Sequence, residues 1–136
     1  MKIINNETVR LRASEDISYI RQIVRNWMVE LRFSLVEQTK IVTAASELAR
    51  NTIEHGGGGT VQLITLNDSG RTGLQLIFED KGPGIPDLEI ALKDGFSTGS
   101  GLGLGLSGSK RLVDEFDLKS KPDKGTCITI TKWRHN

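Results

Sequence analysis

Glu47 and Asn51 stand four residues apart in Ser46-Glu-Leu-Ala-Arg-Asn-Thr-Ile-Glu-His55. On a helix this spacing puts a carboxylate and a carboxamide on one face. Such a pair suits a metal–nucleotide site. Mg2+ takes only one or two protein oxygens and completes its shell with water and phosphate. Asn51 would be the metal ligand and Glu47 a base beside it. An ordinary polar helix face has the same pattern, and Glu54 and His55 extend it. The second cluster is Asp80-Lys-Gly-Pro-Gly84. A carboxylate at the end of an apolar run can accept a hydrogen bond from an exocyclic amine such as adenine's. Gly82 and Gly84 would let a ring or a phosphate approach the backbone. A strand-ending turn uses the same residue types.

The third cluster runs from Gly99 to Leu112, GSGLGLGLSGSKRL. Gly103 to Gly108 matches GxGxxG, but a dinucleotide site needs an apolar strand directly before it. The preceding residues, DGFSTGS, do not make one. A Walker A loop fails for the same reason, and Ser109 intervenes before Lys110. A plain surface loop leaves Leu102, Leu104 and Leu106 unexplained. A loop that folds over a ligand and partly buries its leucines explains both residue types.

The elements that must position these clusters follow from periodicity. Residues 16–32 place Ile17, Ile20, Val24, Trp27, Met28 and Leu31 at helical spacing, with Ser14 as N-cap. Ser34 and Glu37 form a capping box that opens a second helix, running to about His55. Ile41, Ala45, Leu48 and Thr52 face inward along it, and Gly56–Gly59 stop it. Residues 60–67 and 74–80 read as antiparallel strands joined by the turn 68–73. A short helix is expected over 87–94, a further helix over roughly 106–116, and a last strand over 126–133 after the turn Pro122–Gly125. A short strand near Val9–Arg12 opens the chain. This order favours an α+β two-layer sandwich, with a mixed, mostly antiparallel sheet and helices on one face.

Composition narrows the function. At 136 residues the chain is expected to be one domain, 1–136. Lys plus Arg number 18 against 17 Asp plus Glu, and aromatics are 5%, which argues against a nucleic-acid partner. Cys127 is the only cysteine, so an internal disulfide and a Cys-based zinc site are excluded. No signal core or bilayer-length apolar run is present, so a soluble cytoplasmic protein with no membrane partner is expected.

Taken in order, the clusters resemble the GHKL ATP-binding family of gyrase, Hsp90, histidine kinases and MutL. Glu47-x-x-x-Asn51 resembles its N box and Asp80-x-Gly-x-Gly84 its G1 box. Gly101-Leu-Gly-Leu-Gly105 resembles its G2 box and ATP lid, and Gly125-Thr126 its late Gly-Thr pair. SELARN, EDKGPGIPD and DGFSTGSGLGLGLSGSKRLVDEF resemble the RsbT-type serine kinases of bacterial stress-response switches. The resemblance implies ATP and Mg2+ as ligands, with Asn51 on the metal, Asp80 on the adenine amine, and Thr126 supporting the base. It implies Glu47 as general base. Backbone amides of Gly101, Leu102, Gly103, Leu104, Gly105 and Leu106 would wrap the phosphates. Lys110 and Arg111 suit either phosphate or partner docking. The implied substrate is a STAS-domain protein, and the implied output is a stress-response partner such as a phosphatase. The alternatives are an RsbW-type anti-sigma factor kinase and a nucleotide-gated binding module without catalysis. The catalytic half of a histidine kinase fits poorly, because neither His55 nor His135 sits on a phosphoacceptor hairpin.

Overall fold

The computed structural model describes residues 2–85 and 105–135. Strand β1 (Lys2–Leu11) leads into helices α1 (Ser14–Glu30) and α2 (Leu35–Glu54). Strands β2 (Gly59–Asp68) and β3 (Arg71–Asp80) follow. Helix α3 (Gly105–Arg111) and strands β4 (Glu115–Lys121) and β5 (Gly125–Trp133) close the chain. The sheet order is β1-β2-β3-β5-β4, and every pairing is antiparallel. Among the described residues the sheet is therefore antiparallel throughout, where the sequence suggested a mixed, mostly antiparallel one.

Alternation along the strands builds the core. Val9 and Leu11, Val61 and Leu63, Leu74, Leu76 and Phe78, and Ile128 and Ile130 all pack into one cluster with the helices. From α1 it receives Ile20, Val24 and Met28, with Ile17, Trp27 and Leu31 partly buried against it. From α2 come Ile41, Ala45 and Leu48, and the inward face ends with buried Thr52, as the spacing predicted. Fully buried Ala44, Ala45 and Ala49 let α2 lie close to the sheet. Ile64, Leu66 and Trp133 form a smaller cluster in contact with Ile77.

Several boundaries differ from the sequence reading. Ser14 is the first residue of α1 and not its cap. Ala13 holds that place, and the Asp16 carboxylate accepts from the N–H groups of Arg12 and Ala13. The Ser34–Glu37 capping box is present in both directions. The hairpin between β2 and β3 is tighter than the six-residue turn expected, because Asp68 pairs with Arg71. Ser69 and Gly70 both take positive φ, as a two-residue turn matching strand twist requires. The helix expected over 106–116 ends at Arg111, and residues 115–121 form β4. Phe116 and Leu118 pack against the core in alternation there. Strand β1 begins at Lys2 and carries a bulge between Ile3 and Asn5, far before Val9. The helix expected over 87–94 lies outside the described residues.

The end of the sheet where β5 finishes is tied together by charge. Asp114 accepts from the Trp133 N–H at 2.7 Å, pairs with Lys132 at 3.3 Å and faces His135 at 3.5 Å. Glu37 accepts from the N–H of Ser34 and of His135. Burial pushes the Asp114 carboxyl up, but the Trp133 N–H and the Lys132 charge outweigh it and hold it below its ordinary 3.8. Burial likewise raises Glu37, and the bonds from Ser34 and His135 bring it below its ordinary 4.5. A carboxyl depressed on folding contributes stability above its unfolded value and loses it as pH falls through the folded one. Asp114→Asn is expected to cost about 2 kcal/mol at neutral pH, because buried Lys132 loses its counter-charge. Melting curves should show this gap narrowing as pH drops below 3.8 and wild-type Asp114 itself becomes neutral. A gap independent of pH would contradict the assignment.

Candidate functional site

The end of α2 and the Asp80 cluster meet at the opposite end of the sheet. The α2 backbone closes with the Asn51 carbonyl accepting from the His55 and Gly56 N–H groups. Gly56 then packs directly on the end of β3. A Cβ on Gly56 would collide with the Asp80 side chain, and one on Gly82 would come within 2.7 Å of the Gly56 Cα. No side chain fits in either place, so the last turn of α2 and the carboxylate of Asp80 share one corner. The Asp80 Oδ1 accepts from the Gly82 N–H at 2.9 Å, leaving Oδ2 with no protein partner among the described residues. On the other side, Asp80 pairs in register with Thr126 on β5.

Thr126 is buried and sits in a hydroxyl network. Ser120 Oγ lies 3.1 Å from the Gly125 carbonyl, 3.0 Å from Thr126 Oγ1 and 2.7 Å from the Ile85 N–H. The Ser120 proton goes to the carbonyl, which can only accept. Thr126 therefore donates to Ser120 and keeps its own oxygen as an acceptor. The Asp123 N–H bonds the Pro83 carbonyl at 2.8 Å, so the β4–β5 turn clasps the 81–85 loop. Gly84, at φ +80°, is pressed against the Lys121 carbonyl. A shallow cleft of about 190 Å³ opens here, with Asp80, Ser120, Gly125 and Thr126 in its lining. The sequence pairs Gly82 and Gly84 with an approaching ligand. What approaches them among the described residues is protein, namely Gly56 and Lys121.

On α2, Glu47 and Asn51 are both half-buried on the last turns. Glu47 Oε1 bonds Arg50 Nη1 at 3.0 Å. The Asn51 carboxamide has no protein partner among the described residues. No group of three or more His, Cys, Asp or Glu side chains that could cage a metal exists among them either. One free carboxamide oxygen without a cage fits Mg2+ that is held chiefly by phosphate and water. Gly105 starts α3 at φ +70°, and Leu106 is buried in the core, which leaves only its backbone for a ligand. Gly101, Leu102, Gly103 and Leu104 lie outside the described residues. Lys110 is exposed on the last turn of α3.

Residues 36–135 match the family described as histidine kinase-, DNA gyrase B-, and HSP90-like ATPase. The chain belongs to this ATPase family. The serine/threonine-protein kinase RsbT of Bacillus subtilis (strain 168) is 49% identical over 125 residues, covering 92% of this chain and 94% of that protein. The anti-sigma F factor of Bacillus licheniformis is 35% identical over 127 residues, covering 88% of this chain and 85% of that protein. The structure of the RsbU and RsbW domains of a Mycobacterium tuberculosis protein superimposes with TM-score 0.66 at 19% identity. The match spans 97% of this chain and 34% of that longer one. The SiaB–SiaC complex from Pseudomonas aeruginosa gives TM-score 0.55 at 17% identity, over 96% of this chain and 90% of that one. At such identities the two structures speak for the fold alone. The GHKL resemblance and the two-layer α+β architecture read from the sequence are borne out. No helix among the described residues is long and apolar enough to cross a membrane.

Two residues at this corner escaped the sequence reading. Gly56 reads only as a helix stop, although a glycine two residues past the last turn also permits close packing. Ser120 lies on a strand whose short alternation is hidden behind a helical pattern. Gly56→Ala is expected to destabilise the fold by about 1–3 kcal/mol, since neither backbone nor Asp80 can yield without strain. Amide NMR shifts should move at Asp80 and Thr126. A variant with wild-type stability and unmoved shifts would contradict the shared corner.

Proposed function

We propose that this chain is an ATP-dependent serine/threonine protein kinase of a bacterial partner-switching pair, acting on a STAS-domain protein. The observation that carries the reading is the packing of Gly56, just past the end of the helix that bears Glu47 and Asn51, on Asp80, which pairs with Thr126. In this reading a carboxylate base and a metal ligand on α2 would work with an adenine-binding acid at the end of β3. Identity of 49% with a protein named as a serine/threonine kinase supports the chemistry.

In this reading Asp80 Oδ2, which has no protein partner among the described residues, accepts from the adenine amine, and Thr126 supports the base. The Gly82 N–H holds Oδ1 and so orients the Asp80 carboxylate for that bond. Asn51 would hold Mg2+ through its carboxamide oxygen, and the metal supplies charge neutralisation on the phosphates when bound. Backbone amides of residues 101–106 would bind the phosphates. The acceptor hydroxyl of the partner attacks the γ-phosphorus, the bond from phosphorus to the β-bridging oxygen breaks, and ADP leaves. Glu47 takes the hydroxyl proton. Catalysis is then positioning and electrostatics, as in other phosphoryl transfers. Downstream, phosphorylation changes what the STAS partner binds and frees the chain for an output protein such as a phosphatase.

The 35% identity to an anti-sigma F factor favours a second reading, in which the chain also holds a sigma factor. Pull-down against sigma factors with ATP separates the two. A binding module without catalysis leaves Glu47 without a role.

Glu47→Ala should retain ATP affinity and lose label transfer to the STAS protein by about 10²–10⁴-fold, the usual contribution of a positioned base. Asp80→Asn should instead weaken ATP binding by at least about tenfold, because an amide cannot replace the charged acceptor on both of its bonds. Radiolabel transfer and calorimetric titration read the two effects. Transfer at the wild-type rate in Glu47→Ala would remove the base assignment, and unchanged affinity in Asp80→Asn would remove the adenine assignment.

A further inference from the structure

We propose that Arg50 is the positioning residue for the Glu47 carboxylate, and this rests on the reading that Glu47 is the base. Arg50 Nη1 lies 3.0 Å from Glu47 Oε1, three residues apart on α2. The Glu47 side chain is 17% exposed and the Arg50 side chain 38%. Among the described residues each is the other's one side-chain partner. Glu47 therefore has one oxygen taken and one open. Its carboxylate cannot turn freely, because the guanidinium holds Oε1 and the helix surroundings enclose most of the side chain.

The pair does little for the helix. A partly exposed ion pair at this spacing adds little to the stability of a helix. α2 already has its capping box, its buried inner face and the Gly56 contact. A base, by contrast, works only when it is aimed, and a third group that orients it is a recurring part of nucleophile activation. With Oε1 bonded to Arg50, Oε2 is the oxygen left to receive the proton of the acceptor hydroxyl. As that proton moves to Oε2, the hydroxyl oxygen bonds to phosphorus and the bond to ADP breaks. Arg50 touches neither substrate nor reacting atoms in this account. It also adjoins Asn51 in sequence, so a competing role exists, in which the guanidinium binds phosphate directly. The two roles differ in what they change.

Arg50→Ala and Arg50→Lys should be made in the wild-type and in the Glu47→Gln chain. Transfer of the γ-phosphate to a STAS protein or to water is followed alongside ATP affinity and melting temperature. Arg50→Ala is expected to lower kcat by about tenfold, part of what a positioned base supplies. Its ATP Kd should stay within about twofold of the wild type, and Arg50→Lys should recover most of the rate because a point charge still reaches the carboxylate. In the Glu47→Gln chain the Arg50→Ala change should have no further effect on rate or affinity, since Arg50 acts through the carboxylate. Wild-type kcat in Arg50→Ala would reduce the pair to a helix-surface contact and overturn the proposal. A rise in ATP Kd of about tenfold in both backgrounds would also overturn it, by showing a phosphate contact. Failure of the underlying reading looks different: Glu47→Gln alone would then transfer phosphate at the wild-type rate, whatever Arg50 does.

Discussion

The last turn of α2 lies against the end of β3 so closely that no side chain fits between them. Gly56 meets the Asp80 side chain, and Gly82 meets the Gly56 backbone. This contact brings two remote stretches of sequence to one corner. It brings the end of the helix that bears Glu47 and Asn51 to the end of the central strands, where Asp80 pairs with Thr126. The clasp from Ser120 to Ile85 and Thr126, and from Asp123 to Pro83, then fixes the far wall. A site built this way needs no large pocket of its own in the two layers. Its precision comes from backbone packed on backbone, which neither changes rotamer nor swells.

The molecule divides its tasks between its two ends. At one end Asp114, Lys132, Glu37 and the chain residues from Trp133 to His135 form a closed set of charged bonds that sews β5 to the start of α2. At the other end the polar groups are left partly open among the described residues, with Asp80 Oδ2, the Asn51 carboxamide and one Glu47 oxygen without a partner there. Buried polar groups are normally satisfied, and among the described residues no fully buried side-chain atom lacks a partner. The open groups therefore collect where a ligand has access. The ATPase family to which the chain belongs gives the nature of that ligand.

Much of this was legible in the sequence, for local reasons. The capping box of Ser34 and Glu37 and the inward stripe of Ile41, Ala45, Leu48 and Thr52 are short-range patterns, and α2 follows them closely. The β2–β3 hairpin is equally local. β4 was not legible, because Leu112, Val113 and Phe116 continue a helical spacing and Asp114 gives no stop signal until its partners on β5 are known. β1 was seen only at its end, since a bulge at Ile4 breaks the alternation of an exposed edge strand. Within the site, Glu47 and Asn51 are four apart and can be paired by counting. Asp80 and Thr126 meet only through β-register, so their pairing came from resemblance and not from spacing. Gly56 had no chance of being found without the structure, because the residue it avoids is distant in sequence.

The most direct test of the shared corner is a crystal structure of this chain with Mg2+ and a non-hydrolysable ATP analogue. The account predicts the adenine amine on Asp80 Oδ2, the base beside Thr126, and the metal on the Asn51 carboxamide oxygen next to Glu47. A nucleotide bound elsewhere, or an adenine at this corner that leaves Asp80 bonded only to Gly82, would contradict it.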